Sequence, residues 1–261
     1  MSVSVRDVSA SSIDDVFRIC SFSKLDNPLQ GRGMEIKRKW LLEMLGRYGL
    51  CTKIAYLNDR PVAQILFYPE AAVPYVRRPR EGAVVLHCAY NPFPDAQGRG
   101  VSTRLVRELI EECENGPRFL GGGRCSFIVA RPFETDEGLG LGKFYEKNGF
   151  REAGAELYRE ISGRYVEAEA AERRPVPEDA GRAVVFYEPV CEWGYPFAVG
   201  VRDLIHEMAP GLPVSLFNSW ERPREYSRRG REGLIVNGEA IRSLWTDREA
   251  FRREIEEALS R

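Results

Sequence analysis

The sequence predicts a two-part α/β protein, and three observations predict it. Strand-like and helix-like apolar patterns alternate through residues 1–165. Residues 166–182 (VEAEAAERRPVPEDAGR, carrying Pro175 and Pro177) hold almost no large apolar side chain and read as a linker. A fresh alternation then starts at Val184. At 261 residues the chain can hold one large domain or two modest ones, each able to bury a core. We therefore expect domains over 1–165 and 183–261, joined by a linker over 166–182.

In the first domain, 2–8 reads as a strand and 13–21 as a short helix. Residues 35–48 read as a longer helix, with Ile36, Trp40, Leu41, Met44 and Leu45 on one face. Segments 51–57 and 61–67 form a hairpin around Asn58-Asp59. The run Ala83-Val84-Val85-Leu86-His87-Cys88-Ala89-Tyr90 is apolar enough for a buried strand, and a Pro-marked turn follows it. Val101, Leu105, Val106, Leu109, Ile110 and Cys113 then recur at helical spacing. A strand over 125–130 follows, then a short helix around Tyr145 stopped by Asn148-Gly149, then strands within 151–165. Gly149 suits a left-handed cap, which lets Phe150 fold back onto Phe144 and Tyr145.

The second domain opens with a strand over 184–187 and a helix over 196–208 that has Pro196 in its first turn. A strand over 214–217 comes next. Segments 234–236 and 240–241 form a hairpin around Asn237-Gly238, a strong turn signal. The last helix opens on a capping box, Thr246-x-x-Glu249, and carries Phe251, Ile255 and Leu259 on one face.

Charge and composition exclude several functions. Lysine and arginine number 38 against 39 acidic residues, a net charge of -1, whereas a nucleic-acid binder needs a basic excess. The clusters Arg77-Arg78-Pro79-Arg80 and Arg228-Arg229-Gly230-Arg231 read as solvated loops. No apolar stretch reaches membrane-spanning length and residues 1–10 carry no signal-peptide core, so a cytoplasmic protein without membrane contact is expected. The six cysteines contain no C-x-x-C pair, and with only His87 and His206 available no metal site is expected. His87 and Cys88 are strand neighbours whose side chains should point to opposite faces, which makes them a poor dyad.

The most informative segment is Gln97-Gly98-Arg99-Gly100-Val101-Ser102, entered from the apolar strand and opening a helix. A glycine bend there leaves backbone N–H groups directed outward with the positive end of the helix dipole behind them, a seat for phosphate oxygens. The second motif is Phe144-Tyr145-Glu146-Lys147-Asn148-Gly149-Phe150. Together the two resemble the Gcn5-related N-acetyltransferase family, whose signature is Gln/Arg-x-x-Gly-x-Gly/Ala followed later by a helical Tyr before Gly-Phe. Gln97, Gly100 and Ser102 occupy the first pattern, and Tyr145, Gly149 and Phe150 the second. Ser102 departs from the usual Gly or Ala but stays small.

This resemblance covers residues 1–165 and implies a mixed, curved sheet with flanking helices. The fourth and fifth strands of that sheet splay apart around the pantetheine arm of acetyl-CoA, the co-substrate. Gln97, Gly98, Arg99, Gly100, Val101, Ser102 and Thr103 would grip the pyrophosphate. Cys88, Ala89 and Tyr90 would lie along the pantetheine, and Tyr145 would be the general acid at the sulfur. Many relatives carry a glutamate on the fourth strand as base, whereas this chain has Ala83-Val84-Val85 there. His87 and Glu70 are the alternatives, besides water or an amine that arrives neutral. A histidine on an apolar strand also serves as a packed core residue, and Glu70 also reads as a solvated loop carboxylate. Residues 21–48 and 68–82 would shape the acceptor side. A small-molecule or amino-acid-like amine is expected there, with a protein amine second. The protein would act as a monomer or homodimer. A competing reading is an acyl-CoA-holding protein without turnover.

The second domain resembles a small thioredoxin-like domain, and its pairing with an acetyltransferase looks like the YoaP-type group. Where a glutaredoxin-like helix would begin with Cys-Pro-x-Cys, this chain reads Tyr195-Pro196-Phe197-Ala198. Disulfide exchange needs an activated thiolate and a resolving partner. Cys191 lies upstream with no resolving neighbour, so a binding or covering module is expected, the alternative being thiol or metal handling through this domain.

Overall fold

The computed structural model describes residues 3–132, 140–172, 174, 176–243 and 247–261. Two compact units are present. Unit 1 comprises Met1–Leu25 and Arg38–Ala168, and unit 2 comprises Asp26–Lys37 and Glu169–Arg261. Among the described residues, no helix is long and apolar enough to cross a membrane.

Unit 1 is a mixed α/β unit built on seven strands: β1 (Val3–Asp7), β2 (Thr52–Leu57), β3 (Arg60–Pro69), β4 (Ala83–Tyr90), β5 (Phe127–Ala130), β6 (Arg151–Ala153) and β7 (Glu156–Glu160). Their order in the sheet is β1-β2-β3-β4-β5-β7-β6. The β2–β3 hairpin turns on Asn58 (φ 50°) and Asp59 (φ 63°), both left-handed, the geometry whose twist matches paired strands. Among the described residues of this unit, β4 and β5 alone run parallel, which demands a crossover. Helix α3 (Val101–Glu114) supplies it. Its Leu105 and Leu109, fully buried, pack with Ile65, Phe67, Val84 and Leu86 in the main core. Each such side chain contributes about 1.5–3 kcal/mol. Helix α1 (Ile13–Cys20) buries Ile13, Val16, Phe17 and Ile19.

Two irregularities of β4 matter for function. Its parallel ladder with β5 ends at Leu86↔Ala130, while β4 itself continues to Tyr90. On its other side, Leu66 of β3 pairs with Cys88, but the next residue, Phe67, pairs with Leu86. His87 is therefore the extra residue of a β-bulge. Val84, Leu86 and Ala89 all belong to the core beneath α3, so two consecutive residues, His87 and Cys88, lie away from it. The expectation of opposite faces is thus corrected: the bulge resets the strand's alternation.

Helix α2 spans Pro28–Tyr48, seven residues earlier than the expected start at 35. Asn27 accepts a hydrogen bond from the Gln30 amide (3.0 Å) and Pro28 takes the first helical position. Gly31 and Gly33, poor helix formers, obscured this start in the sequence. Gly33 is a packing requirement of unit 2: a Cβ there would stand 1.9 Å from the Glu192 carbonyl oxygen.

Unit 2 holds β8 (Ala183–Tyr187), α5 (Gly194–Met208), β9 (Val214–Asn218), α6 (Pro223–Arg228), β10 (Leu234–Val236), β11 (Glu239–Ala240) and α7 (Arg248–Leu259). The sheet order is β11-β10-β8-β9, with β8 and β9 parallel and β10 antiparallel to β8. Asn237 (φ 48°) and Gly238 (φ 80°) turn the terminal hairpin as expected. Helix α7 is capped by Asp247, whose side chain accepts from the Ala250 amide at 3.0 Å. Thr246, the expected cap, lies outside the described residues. Asp179, in a single 3-10 turn at Pro177–Asp179, is buried against Arg229 at 2.6 Å. Arg229 is thus a core ion-pair member, not the solvated loop arginine expected from its cluster.

Candidate active site

The segment from β4 into α3 folds as the glycine pattern requires. The turn closes with Ala96 and Gln97 amides donating to the Phe93 carbonyl at 2.9 and 3.1 Å. The Gln97 side-chain amide donates to the Asn91 carbonyl at 3.0 Å, tying the turn to the end of β4. Gly98 (φ 69°) and Gly100 (φ 71°) are left-handed, and Gly100 is the N-cap of α3. A Cβ on either would meet nothing within 4 Å, so conformation rather than crowding selects glycine. Among the described residues, the amides of Gly98, Gly100, Val101, Ser102 and Thr103 donate to no acceptor. With the dipole of a helix running to Glu114 behind them, they form a set of donors of the kind that can accept an anion. Ser102 and Thr103, both half-buried, add hydroxyls at the same end.

Tyr145 sits on the short helix α4 (Leu141–Lys147). The helix ends as the Asn-Gly-Phe run predicts. Gly149 (φ 84°) donates to the Glu146 carbonyl at 2.9 Å and Phe150 to the Tyr145 carbonyl at 3.1 Å. The Phe150 ring lies 5.4 Å from that of Tyr145. Tyr145 is 1 % exposed, and among the described residues its hydroxyl has no hydrogen-bond partner. Burial, and then the charge a Cys88 thiolate would place nearby, push its phenol well above the usual tyrosine value. The phenol is therefore a proton-bearing group throughout the neutral range, within electrostatic reach of the β4 extension.

His87, half-buried in the bulge, shares a hydrogen bond between its Nδ1 and the Tyr68 hydroxyl at 3.1 Å. Trp40 meets the Tyr68 ring edge-on at 5.7 Å. The bond to Tyr68 fixes the orientation of the imidazole ring. Sequence reasoning missed Tyr68. Its signal was the parity of β3 and β4, which is visible only once their register is known.

Glu70 is placed differently from the expected solvated loop. It is buried, and the Arg80 side chain and the Arg80 amide (2.7 Å) bind its carboxylate. Arg80 also reaches Glu156 (2.7 Å), which in turn holds Arg131 (2.8 Å). Burial disfavours the Glu156 carboxylate, but hydrogen bonds and charge from Arg80 and Arg131 outweigh it and hold its pKa below the usual 4.5. Arg80 is likewise no solvated loop residue, because its guanidinium is buried between two carboxylates. This packing makes Glu70 a ligand of Arg80 more than a proton acceptor for a bound molecule. Of the three catalytic candidates, Tyr145 and His87 belong to or face β4, while Glu70 belongs to the ion-pair cluster.

No protein-family model and no curated protein matches the chain. Among solved structures it is similar to a GNAT family acetyltransferase from Brucella melitensis in complex with acetyl-CoA, at 17% identity and a TM-score of 0.43, covering 64% of this chain and 94% of that one. It is also similar to an N-acetyltransferase from Staphylococcus aureus Mu50, at 14% identity and a TM-score of 0.44, covering 62% and 99%. A PaiA N-acetyltransferase from Thermoplasma acidophilum in complex with coenzyme A shares 14% identity at a TM-score of 0.39, covering 60% and 97%.

Proposed function

We propose that unit 1 is an acetyl-CoA-dependent N-acetyltransferase of the Gcn5-related kind. It transfers the acetyl group by direct attack of an amine carried by a small molecule or amino-acid-like acceptor. The observation that carries this reading is the passage from β4 to α3. A strand that outruns its parallel neighbour at Leu86↔Ala130 leads into a turn whose outward amides crown the start of α3. An extended arm lying along β4 and a diphosphate seated at residues 97–103 suit one continuous ligand, and acetyl-CoA has that form. The residues fit it: left-handed glycines with open space at the seat, small hydroxyl side chains beside it, and a buried phenol near Cys88. When bound, acetyl-CoA supplies the activated acetyl group.

The chain's own groups then have defined tasks. The amides at Gly98–Thr103 hold the anion, and residues 88–90 orient the arm. Tyr145, kept protonated by burial, donates its proton toward the departing sulfur. His87, steadied by Tyr68, accepts a proton from the acceptor amine. Unit 2 is read as a thioredoxin-like domain without redox chemistry. Its order β11-β10-β8-β9, with parallel β8 and β9, supports that reading, and Tyr195 and Ala198 stand where thiols would be needed.

Titration calorimetry with acetyl-CoA, together with release of free CoA against an amine panel, tests the assignment. Saturable binding lost in Gly100→Glu, with CoA release from the wild type, is the expected result. Absence of binding, or its survival in that variant, overturns it, and binding without any CoA release leaves an acyl-CoA-holding protein.

A further inference from the structure

Unit 2 contains a solvent-open pocket of about 400 Å³ lined by residues of α5, β8, β10 and α7, and we propose that it binds an uncharged, apolar small molecule of aromatic or short alkyl type. The cavity arises from the sequence of α5. Gly194, Ala198 and Val201 fall on one helical face and line it, and their small side chains leave a hollow before Leu234 and Phe251. Gly194 cannot be enlarged to fill it, because a Cβ there would stand 2.7 Å from the Glu188 carbonyl. The volume lies within the range of small-molecule sites.

The chemistry of the wall selects the ligand. Two of the polar residues that line it are engaged within the protein. Ser243 gives both its amide (2.7 Å) and its hydroxyl to Glu254, and Glu188 is engaged within the protein. Cys191 is uncharged at neutral pH, since burial and then the neighbouring Glu192 push its thiol up. Apart from the Tyr187 hydroxyl the remaining wall is aliphatic and aromatic, a surface that favours a carbon-rich guest. Phe197, on the same helix and lining the same cavity, is 54 % exposed, an aromatic side chain reachable from solvent at the cavity's edge.

The test uses the full-length chain and N-phenyl-1-naphthylamine, a neutral two-ring probe that fluoresces in apolar surroundings. Saturable enhancement at one probe per chain is expected. Affinity should fall at least tenfold in Ala198→Leu, which fills the hollow, and in Phe197→Asp, a substitution at a half-exposed helical position. Bound probe should also slow alkylation of Cys191 by N-ethylmaleimide, read by peptide mass spectrometry, relative to the other cysteines. Gly100→Glu should bind the probe as the wild type does, so this outcome is independent of the acetyl-CoA assignment. No enhancement, undiminished affinity in both cavity variants, or binding of a cationic alkylamine in place of the neutral probe overturns the proposal.

Discussion

Tyr68 and His87 are bound to each other across β3 and β4, hydroxyl to Nδ1 at 3.1 Å, at the one position where the two strands fall out of step. The bulge supplies the displaced residue and the phenol fixes its ring. If His87 is the base, His87→Gln lowers kcat by about 10²–10⁴-fold and flattens the acid limb of the pH–rate profile. Tyr68→Phe, acting through position alone, should lower kcat less while leaving that limb in place. A profile unchanged in His87→Gln removes the imidazole from the reaction.

Tyr145→Phe separates chemistry from binding. The hydroxyl makes no hydrogen bond among the described residues, so its removal should change stability by no more than about 1 kcal/mol. CoA affinity should be retained while kcat falls by about 10²-fold. Because burial raises the phenol's pKa, no alkaline loss of activity below the usual tyrosine value should trace to this residue. Stopped-flow rates at saturating acetyl-CoA would decide it.

The Glu70–Arg80–Glu156–Arg131 cluster makes unit 1 acid-sensitive in a defined direction. The folded pKa of Glu156 is depressed, so its stabilisation is fully present above the ordinary 4.5 and is lost as pH falls through the lower, folded value. Thermal unfolding followed from pH 7 downward should show this loss beginning below 4.5. Arg80→Met, which strips Glu70 and Glu156 of a buried partner, should cost about 3–5 kcal/mol at neutral pH. It should also reduce the acid sensitivity.

Lys37 and Glu192 form a buried pair at 2.7 Å with side-chain exposures of 2 % and 0 %, both residues in unit 2. Lys37→Met removes the opposing charge and should cost about 3–5 kcal/mol, whereas replacing both partners with apolar residues should recover much of that loss. Gly33→Val should be at least as harmful, since its side chain has to enter the space of the Glu192 carbonyl. Denaturant titration of the single and double variants provides the measurement.

Much of this arrangement was readable before folding was considered. The Asn58-Asp59 and Asn237-Gly238 turns, the apolar run of β4 and the cap at Gly149 are local features whose residues have few other conformations open to them. Gln97 to Thr103 was readable for the same reason, because left-handed backbone at positions 98 and 100 is a property of glycine itself. The start of α2 was missed because Gly31 and Gly33 argue locally against a helix that packing requires. Arg80 and Arg229 were misread because adjacent arginines look alike in sequence, while burial depends on which one meets a distant carboxylate. His87 and Cys88 were assigned opposite faces because alternation is the default of a strand, and a bulge exists only relative to its partner.

By itself, then, the sequence determined the α/β character, the glycine turn at the head of α3 and the aromatic helix that ends in Asn-Gly-Phe. Tertiary structure alone decided that His87 leans on Tyr68, that Glu70 is held by Arg80, and that Asp26–Lys37 belongs with the second unit. The division follows the range of the forces involved. Backbone preference and capping act over a few neighbouring residues, whereas register, ion pairing and burial join groups that the chain brings together only when it closes on itself.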